Sequence, residues 1–295
     1  YRDKNQFKEA IENLESVVSI SAEMYEADNR ELLTSQATLA QSYREDGQLD
    51  KAIPLQEHVV KVQAVLAKDH PERLSSQHDL ALAYRGAGRV DEAIGLLEHV
   101  LAVKRKVLRE DHPQLLGSQH GLAVAYEDNG QRQKAIELME HVVAVRTRTL
   151  QEDHVLRLVS QQALAIIYGK TQMFDKAIEL LQQILAVRVK SLREDHPDTL
   201  VTQYWLAQNY GRAQRYEDTI TLLEQILPTH VQILGNDHEG TLAVRKLLTV
   251  MCEKQRAAND DGRNDKDRKV EEESENDASQ TSLNGGISRN GGKGH

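Results

Sequence analysis

Apolar and small residues recur along the chain at two helical spacings that alternate. From position 71 they fall at 76, 80, 83, 84 and 87, the rhythm of a helix with one buried face. After a turn, Ala93, Ile94, Leu97, Val100, Leu101 and Val103 form a second, broader stripe. The pattern predicts a helix over 71–86 and another over Val90 to Val107. The turn between them is short, so the two must pack antiparallel.

This two-helix pattern repeats through most of the chain. Asp-His pairs begin at Asp69, Asp111, Asp153, Asp195 and Asp237, each 42 residues after the last. A tyrosine keeps phase at Tyr43, Tyr84, Tyr126, Tyr168 and Tyr210. So does an Ala-Ile pair at Ala10, Ala52, Ala93, Ala135 and Ala177, degraded to Thr219-Ile220. One step is 41 residues, because the connection around Ala64 to Lys68 is one residue shorter. Periods of this length mark stacked units that share one continuous core. The fold class is therefore all-α, a solenoid of stacked antiparallel helix pairs. Residues 1–256 form the solenoid. Tyr1 to Gln6 align with Tyr43 to Gln48, so the first repeat is truncated and the chain reads as part of a longer protein. After Asp237 one more first-type helix follows, at about 240–256, with Arg245 and Cys252 where other repeats have Gln and Tyr. Its polar substitutions suit a cap on the last repeat.

Local signals set the element ends. Asp69 or His70 can cap the first helix, with Pro71 in its first turn. Glu72, Gln114 and Asp198 follow as candidate capping-box partners. Gly47, Gly88 and Gly130 stand in the turn between the paired helices, although the later repeats lack them. Pro54 belongs on the exposed side of its helix, and Pro228 is expected to kink the last long one.

Composition narrows the functional classes. From residue 257 apolar residues almost vanish, so 257–295 is expected to be a disordered acidic and Gly-rich tail. Net charge is −9, of which −3 lies on that tail, with no basic face of the kind nucleic-acid binding requires. No apolar run approaches the roughly 18 residues that span a bilayer. The single cysteine excludes a disulfide framework and points to a reducing, cytoplasmic location. Twelve histidines invite a metal reading. Nearly all belong to the repeat, and equivalent positions in stacked helices lie roughly 10 Å or more apart, too far to share one zinc ion. Gly169-Lys170-Thr171 ends like a phosphate loop but has Leu164 where the motif needs glycine. Nothing here supplies a nucleophile with its base. The chain reads as non-catalytic, without cofactor or metal, and not directed at nucleic acid or membrane.

Two further series bear on binding. Ser-Gln recurs at Ser35, Ser76, Ser118 and Ser160, with Thr202-Gln203 after them. A helical wheel puts its glutamines on the packing side, so the series is structural. The opposite face of each first helix is left over, and there the residues differ from repeat to repeat. It carries Arg44, His78, Arg85, His120, Glu127, Gln162, Lys170, Tyr204, Gln208 and Arg212, with Trp205 at its edge. A protein or peptide partner bound in this concave groove is the expectation. Tyr204 and Trp205 are its candidate anchors, since aromatic side chains dominate hot spots. Self-association through the repeats is a further possibility.

The order Leu80-Ala81, Tyr84, Ala93 and its copy Leu122-Ala123, Tyr126, Ala135 resembles the tetratricopeptide repeat. The 42-residue period with its Asp-His-Pro linker resembles the long-helix subtype of kinesin light chains. The strings EDHPxxLxSQHxLAxAYxxxG and AIxLLEHVLAV are similar to the C-terminal repeats of fungal NOD-like receptors. The resemblance covers about residues 1–256. It departs where the general family has tryptophan, at Gln36, Gln77, Gln119, Gln161 and Gln203. It implies a right-handed superhelix and a protein-interaction scaffold, the sensing region of such a receptor or a cargo adaptor of kinesin-light-chain type.

Overall fold

A computed structural model describes residues 4–259. The helices are α1 (Lys4–Met24), α2 (Arg30–Glu45), α3 (Leu49–Val62), α4 (Pro71–Gly86), α5 (Val90–Val107) and α6 (Pro113–Asp128). They continue as α7 (Arg132–Thr149), α8 (Val155–Lys170), α9 (Phe174–Leu192), α10 (Pro197–Arg212) and α11 (Tyr216–Leu234). α12 spans 239–259. A 3-10 turn, Gln63–Val65, follows α3. No strand occurs among the described residues. α4 and α5 begin and end where the apolar periodicity places them. The chain divides into two units, Tyr1–Leu206 and Ala207–His295.

In the first unit each helix packs on the next, so even-numbered helices α2 to α8 are first-type and odd-numbered helices α1 to α9 second-type. The core is the repeated stripe. Leu80, Leu122 and Leu164 are buried, and Ala81, Ala123 and Ala165 are fully enclosed. Alanine at these positions lets neighbouring helices come close, and leucine and isoleucine fill the space between. The stack is asymmetric. α2 touches α4, α4 touches α6 and α6 touches α8, whereas among the described residues no such approach joins α3, α5, α7 and α9. The first-type side of this unit is therefore the tight, inner one, and the second-type helices splay apart outside it.

The helix starts resolve the capping question in favour of histidine. The Nδ1 atoms of His112, His154 and His196 accept the backbone N–H of Gln114, Leu156 and Asp198 at 3.1–3.2 Å. His70, after the shortened connection, has the same backbone conformation but a buried Nδ1 without a partner. No capping box forms at Glu72. That residue sits two places after the cap rather than the three a capping box needs, and its carboxylate instead holds Arg30 of α2 at 2.5 Å. The helix-pair turns need a left-handed residue. Gly47, Gly88 and Gly130 supply it at φ +80°, +76° and +74°. Gln172 and Gln214 adopt the same conformation at +63° and +61°, so the backbone geometry persists where the glycine is lost. Pro54 is exposed as expected.

The second unit holds the end of α10 with α11 and α12. α11 continues through Pro228 to Leu234. A Cβ on Gly211 would lie 2.8 Å from Met251 Sδ, so the absent side chain lets α12 approach the last turn of α10. Thr241 donates to the His230 carbonyl at 3.3 Å, and Arg245 to Asn236 Oδ1 at 2.6 Å. α12 runs three residues beyond the expected boundary at 256. The rest of the expected tail lies outside the described residues.

Candidate functional site

The repeated tyrosine organises the outer seam of the first unit. Tyr84, Tyr126 and Tyr168 donate to Glu57, Glu98 and Glu140 of the preceding second-type helix at 2.8, 2.6 and 2.5 Å. Tyr43 makes the same short bond to Glu15. Burial and the adjoining carboxylate push the Tyr126 hydroxyl up to about 12. A cation also covers each ring. Lys51, Lys134 and Lys176 stand 5.0–5.4 Å from the centroids of Tyr43, Tyr126 and Tyr168. At Tyr84 the position equivalent to those lysines is Glu92, and Arg89, three residues earlier, covers the ring at 3.9 Å while bonding that glutamate. The second unit repeats the exchange, with Arg215 over Tyr210 at 4.5 Å and bonded to Asp218. The cation is kept while its position moves, a substitution that sequence periodicity hides.

A second ladder lies deeper. Lys104, Arg146 and Arg188, one per repeat, are each only 4% exposed. Lys104 donates to Ser118 at 2.9 Å, Arg146 to Ser160 and the Leu156 carbonyl, and Arg188 to Thr202 and the Asp198 carbonyl. These contacts explain the serine of the Ser-Gln series as the acceptor for a buried cation. Burial holds all three cations below their ordinary range. The signal was present in the sequence, because Gln63, Lys104, Arg146, Arg188 and His230 keep phase. The change of residue type at each step concealed it.

The groove residues fall on the inner face and are tied to one another across helices. Arg85 of α4 meets Asp128 of α6 at 3.6 Å, and Lys170 of α8 meets Glu127 of α6 at 2.7 Å. Gln162 accepts from Arg188, and His120 Nδ1 lies 3.2 Å from Ser160 Oγ. A Cβ on Gly121 would stand 3.1 Å from the His78 ring, so this glycine seats His78 against α6. Burial foremost, then the charges of Lys104 and Arg44, lowers His78 to about 4. Burial and Arg146 lower His120 to about 4. Both rings are neutral at pH 7. Burial raises the Asp79 carboxyl against the pull of Arg44 and Lys104. Lys170 is exposed, whereas Arg44, His78, Arg85, His120, Glu127 and Gln162 are half-buried. Tyr204 and Trp205 are half-buried too and meet edge to face, centroids 6.4 Å apart at 65°. Gln208 and Arg212 belong to the second unit, where Arg212 is exposed.

The outer side has an opening of its own. Where α5 and α7 splay, a cleft of about 800 Å³ reaches α6, floored by Leu115, Leu122 and Tyr126. Among the described residues no three His, Cys, Asp or Glu side chains are placed to hold one metal ion. No described helix is long and apolar enough to cross a membrane.

Comparison with known proteins agrees with this geometry. The tetratricopeptide repeat profile matches residues 38–106, 72–148 and 114–190 in overlapping frames. No curated protein matches significantly. Among solved structures, a kinesin light chain of Podosopora anserina with nearly identical TPR-like repeats is 44% identical, at a TM-score of 0.63 over 70% of this chain and 98% of that one. BtubC of P. vanneervenii is 17% identical, at 0.60 over 79% and 92%. A STAND ATPase of Pyrococcus horikoshii with a tetratricopeptide repeat sensor is 14% identical, at 0.63 over 84% and 36%. These last two share the fold. The chain belongs to the tetratricopeptide repeat family, whose members are non-catalytic interaction scaffolds.

Proposed function

We propose that the chain holds a protein or peptide partner along the inner groove of its repeats and has no catalytic role of its own. One observation carries this reading. The outer seam repeats one chemistry in every unit, while a single groove position reads His78, His120, Gln162 and Tyr204, and another Arg44, Arg85, Glu127 and Gly169. A face that only packed against its own neighbours would be held to the rule that governs the seam. Selection of displayed peptides on the full chain tests it. Selected peptides should lose at least tenfold in affinity to Arg85→Glu and Lys170→Glu together, and Lys176→Glu on the seam should leave them unchanged. The opposite ranking would move the site to the outer side.

The finer reading is the ligand-sensing region of a fungal NOD-like receptor, acting in the cytoplasm. The linker wording EDHPxxLxSQHxLAxAY and the single cysteine support it. A second reading, a cargo adaptor of kinesin-light-chain type, is favoured by the 44% identity to the Podosopora anserina chain. The coding sequence upstream of Tyr1 separates them. A nucleotide-binding module there supports the receptor, and heptad repeats support the adaptor.

A further inference from the structure

The first and last described helices are complementary halves of one repeat. α1 is a second-type helix, and its side toward α2 is covered by packing of Ile11, Leu14 and Val18 with Leu39 and Tyr43. Its other side is bare. Val17 is 47% exposed and Ile20 58%. The residues equivalent to Val17 in the following repeats, Val59, Val100, Val142 and Ile184, are at most 1% exposed. Ala10 is likewise exposed where Ala52, Ala93, Ala135 and Ala177 are enclosed. What covers the stripe in those repeats is the first-type helix of the same pair.

α12 is the converse. It is a first-type helix with no second-type partner after it among the described residues. Leu242 is 48% exposed, whereas its equivalents Leu74, Leu116, Leu158 and Leu200 are 2–4% exposed. Leu248 is half-buried where Leu80, Leu122, Leu164 and Leu206 are buried. The charges also match. α1 carries four acidic and two basic residues, and α12 four basic and two acidic.

We propose that α12 of one copy docks on the bare stripe of α1 of a second copy, completing a helix pair between chains. The contact joins two different surfaces, so it is heterologous, and association can extend beyond two chains. This inference stands apart from the groove reading, because none of the groove residues takes part.

Molar mass from light scattering of the full 295-residue chain over a hundredfold range of concentration tests it. The mass should rise past that of one chain. Val17→Glu and Leu242→Glu each change an exposed side chain, so helicity by circular dichroism should persist while each variant alone stays at one chain. Mixed in equal amounts, the two variants should form pairs and nothing larger, since only one intact interface remains between them. Ile20→Glu with Thr249→Glu repeats the test at neighbouring positions. A constant single-chain mass for the parent chain overturns the proposal. So does a Leu242→Glu chain that still associates, which would mean α1 pairs with α1, or with some surface other than α12.

Discussion

The two faces of the first-type helices obey different rules. Facing the preceding second-type helix, α4, α6 and α8 present the same leucine, alanine and tyrosine, and the tyrosine always donates to a glutamate. On the inner face the same three helices carry ion pairs and imidazoles that change at every step. The difference teaches that a repeat constrains a side chain only where a neighbouring unit meets it at a fixed distance. The sharpest way to break the comparison is to empty the shared face. Leu122, 2% exposed in the middle of the main core cluster, should lose about 2–5 kcal/mol on replacement by alanine, cavity included. Urea denaturation measures this. A near-neutral result would mean that the register assigned to α6 is wrong.

The inner face has its own sensitivity, to pH. His78 and His120 are lowered from 6.5 to about 4, so the unfolded chain takes up protons at a higher pH than the folded one. Their contribution is complete above pH 6.5 and is lost as pH falls from there toward 4. Each ring accounts for up to about 3 kcal/mol by the end of that window. Carboxylates titrate near its lower end, so the informative quantity is the difference between the parent chain and His120→Gln. The melting temperature of the parent should fall faster between pH 6.5 and 4.5. Parallel curves would show that His120 protonates freely in the fold.

Arg146 tests the rung between the two faces. It is buried, its donors go to Ser160 and the Leu156 carbonyl, and no carboxylate bonds it. Arg146→Ala removes these bonds and leaves buried acceptors unpaired, at about 1–3 kcal/mol. Arg146→Lys, which copies the arrangement of Lys104 with Ser118, should recover most of that loss in the same denaturation assay. If lysine fared as badly as alanine, the shape of the guanidinium rather than its donors would be the requirement.

Helix bounds, the register of the core and the repeated tyrosine were legible in the sequence because each depends on residue type at a fixed spacing. α4 and α5 match their expected limits, and Ala81, Ala93, Leu97 and Val100 lie in the core as the wheel places them. The buried cations were not legible. Lys104 and Arg146 look like surface residues until a serine fourteen positions later is brought against them. The groove was half legible. Periodicity identified which side chains turn inward. That Arg85 is held by Asp128, and Glu127 by Lys170, depends on the spacing between repeats, which no single helix encodes.

The smallest effect is the most specific. The ring of Tyr126 is covered by Lys134, and that of Tyr84 by Arg89, with Glu92 in the lysine's place. If position is exchangeable and the cation is not, the arrangement of one repeat can be moved into the next. Lys134→Glu alone removes the cation and places a second carboxylate near Glu98, which already accepts from the Tyr126 hydroxyl. The expected loss is about 0.5–1 kcal/mol, the scale of an exposed cation–π contact. Gln131→Arg alone adds a cation where one is already present and should change little. Together they recreate the Arg89–Glu92 pair, and the double variant should recover the loss of Lys134→Glu. The interaction energy from the four-member cycle should be favourable by about 0.5 kcal/mol or more. Additive changes would show that each repeat fixes its cation by its own packing, and that the exchange at Tyr84 and Tyr210 does not preserve the contact over the ring.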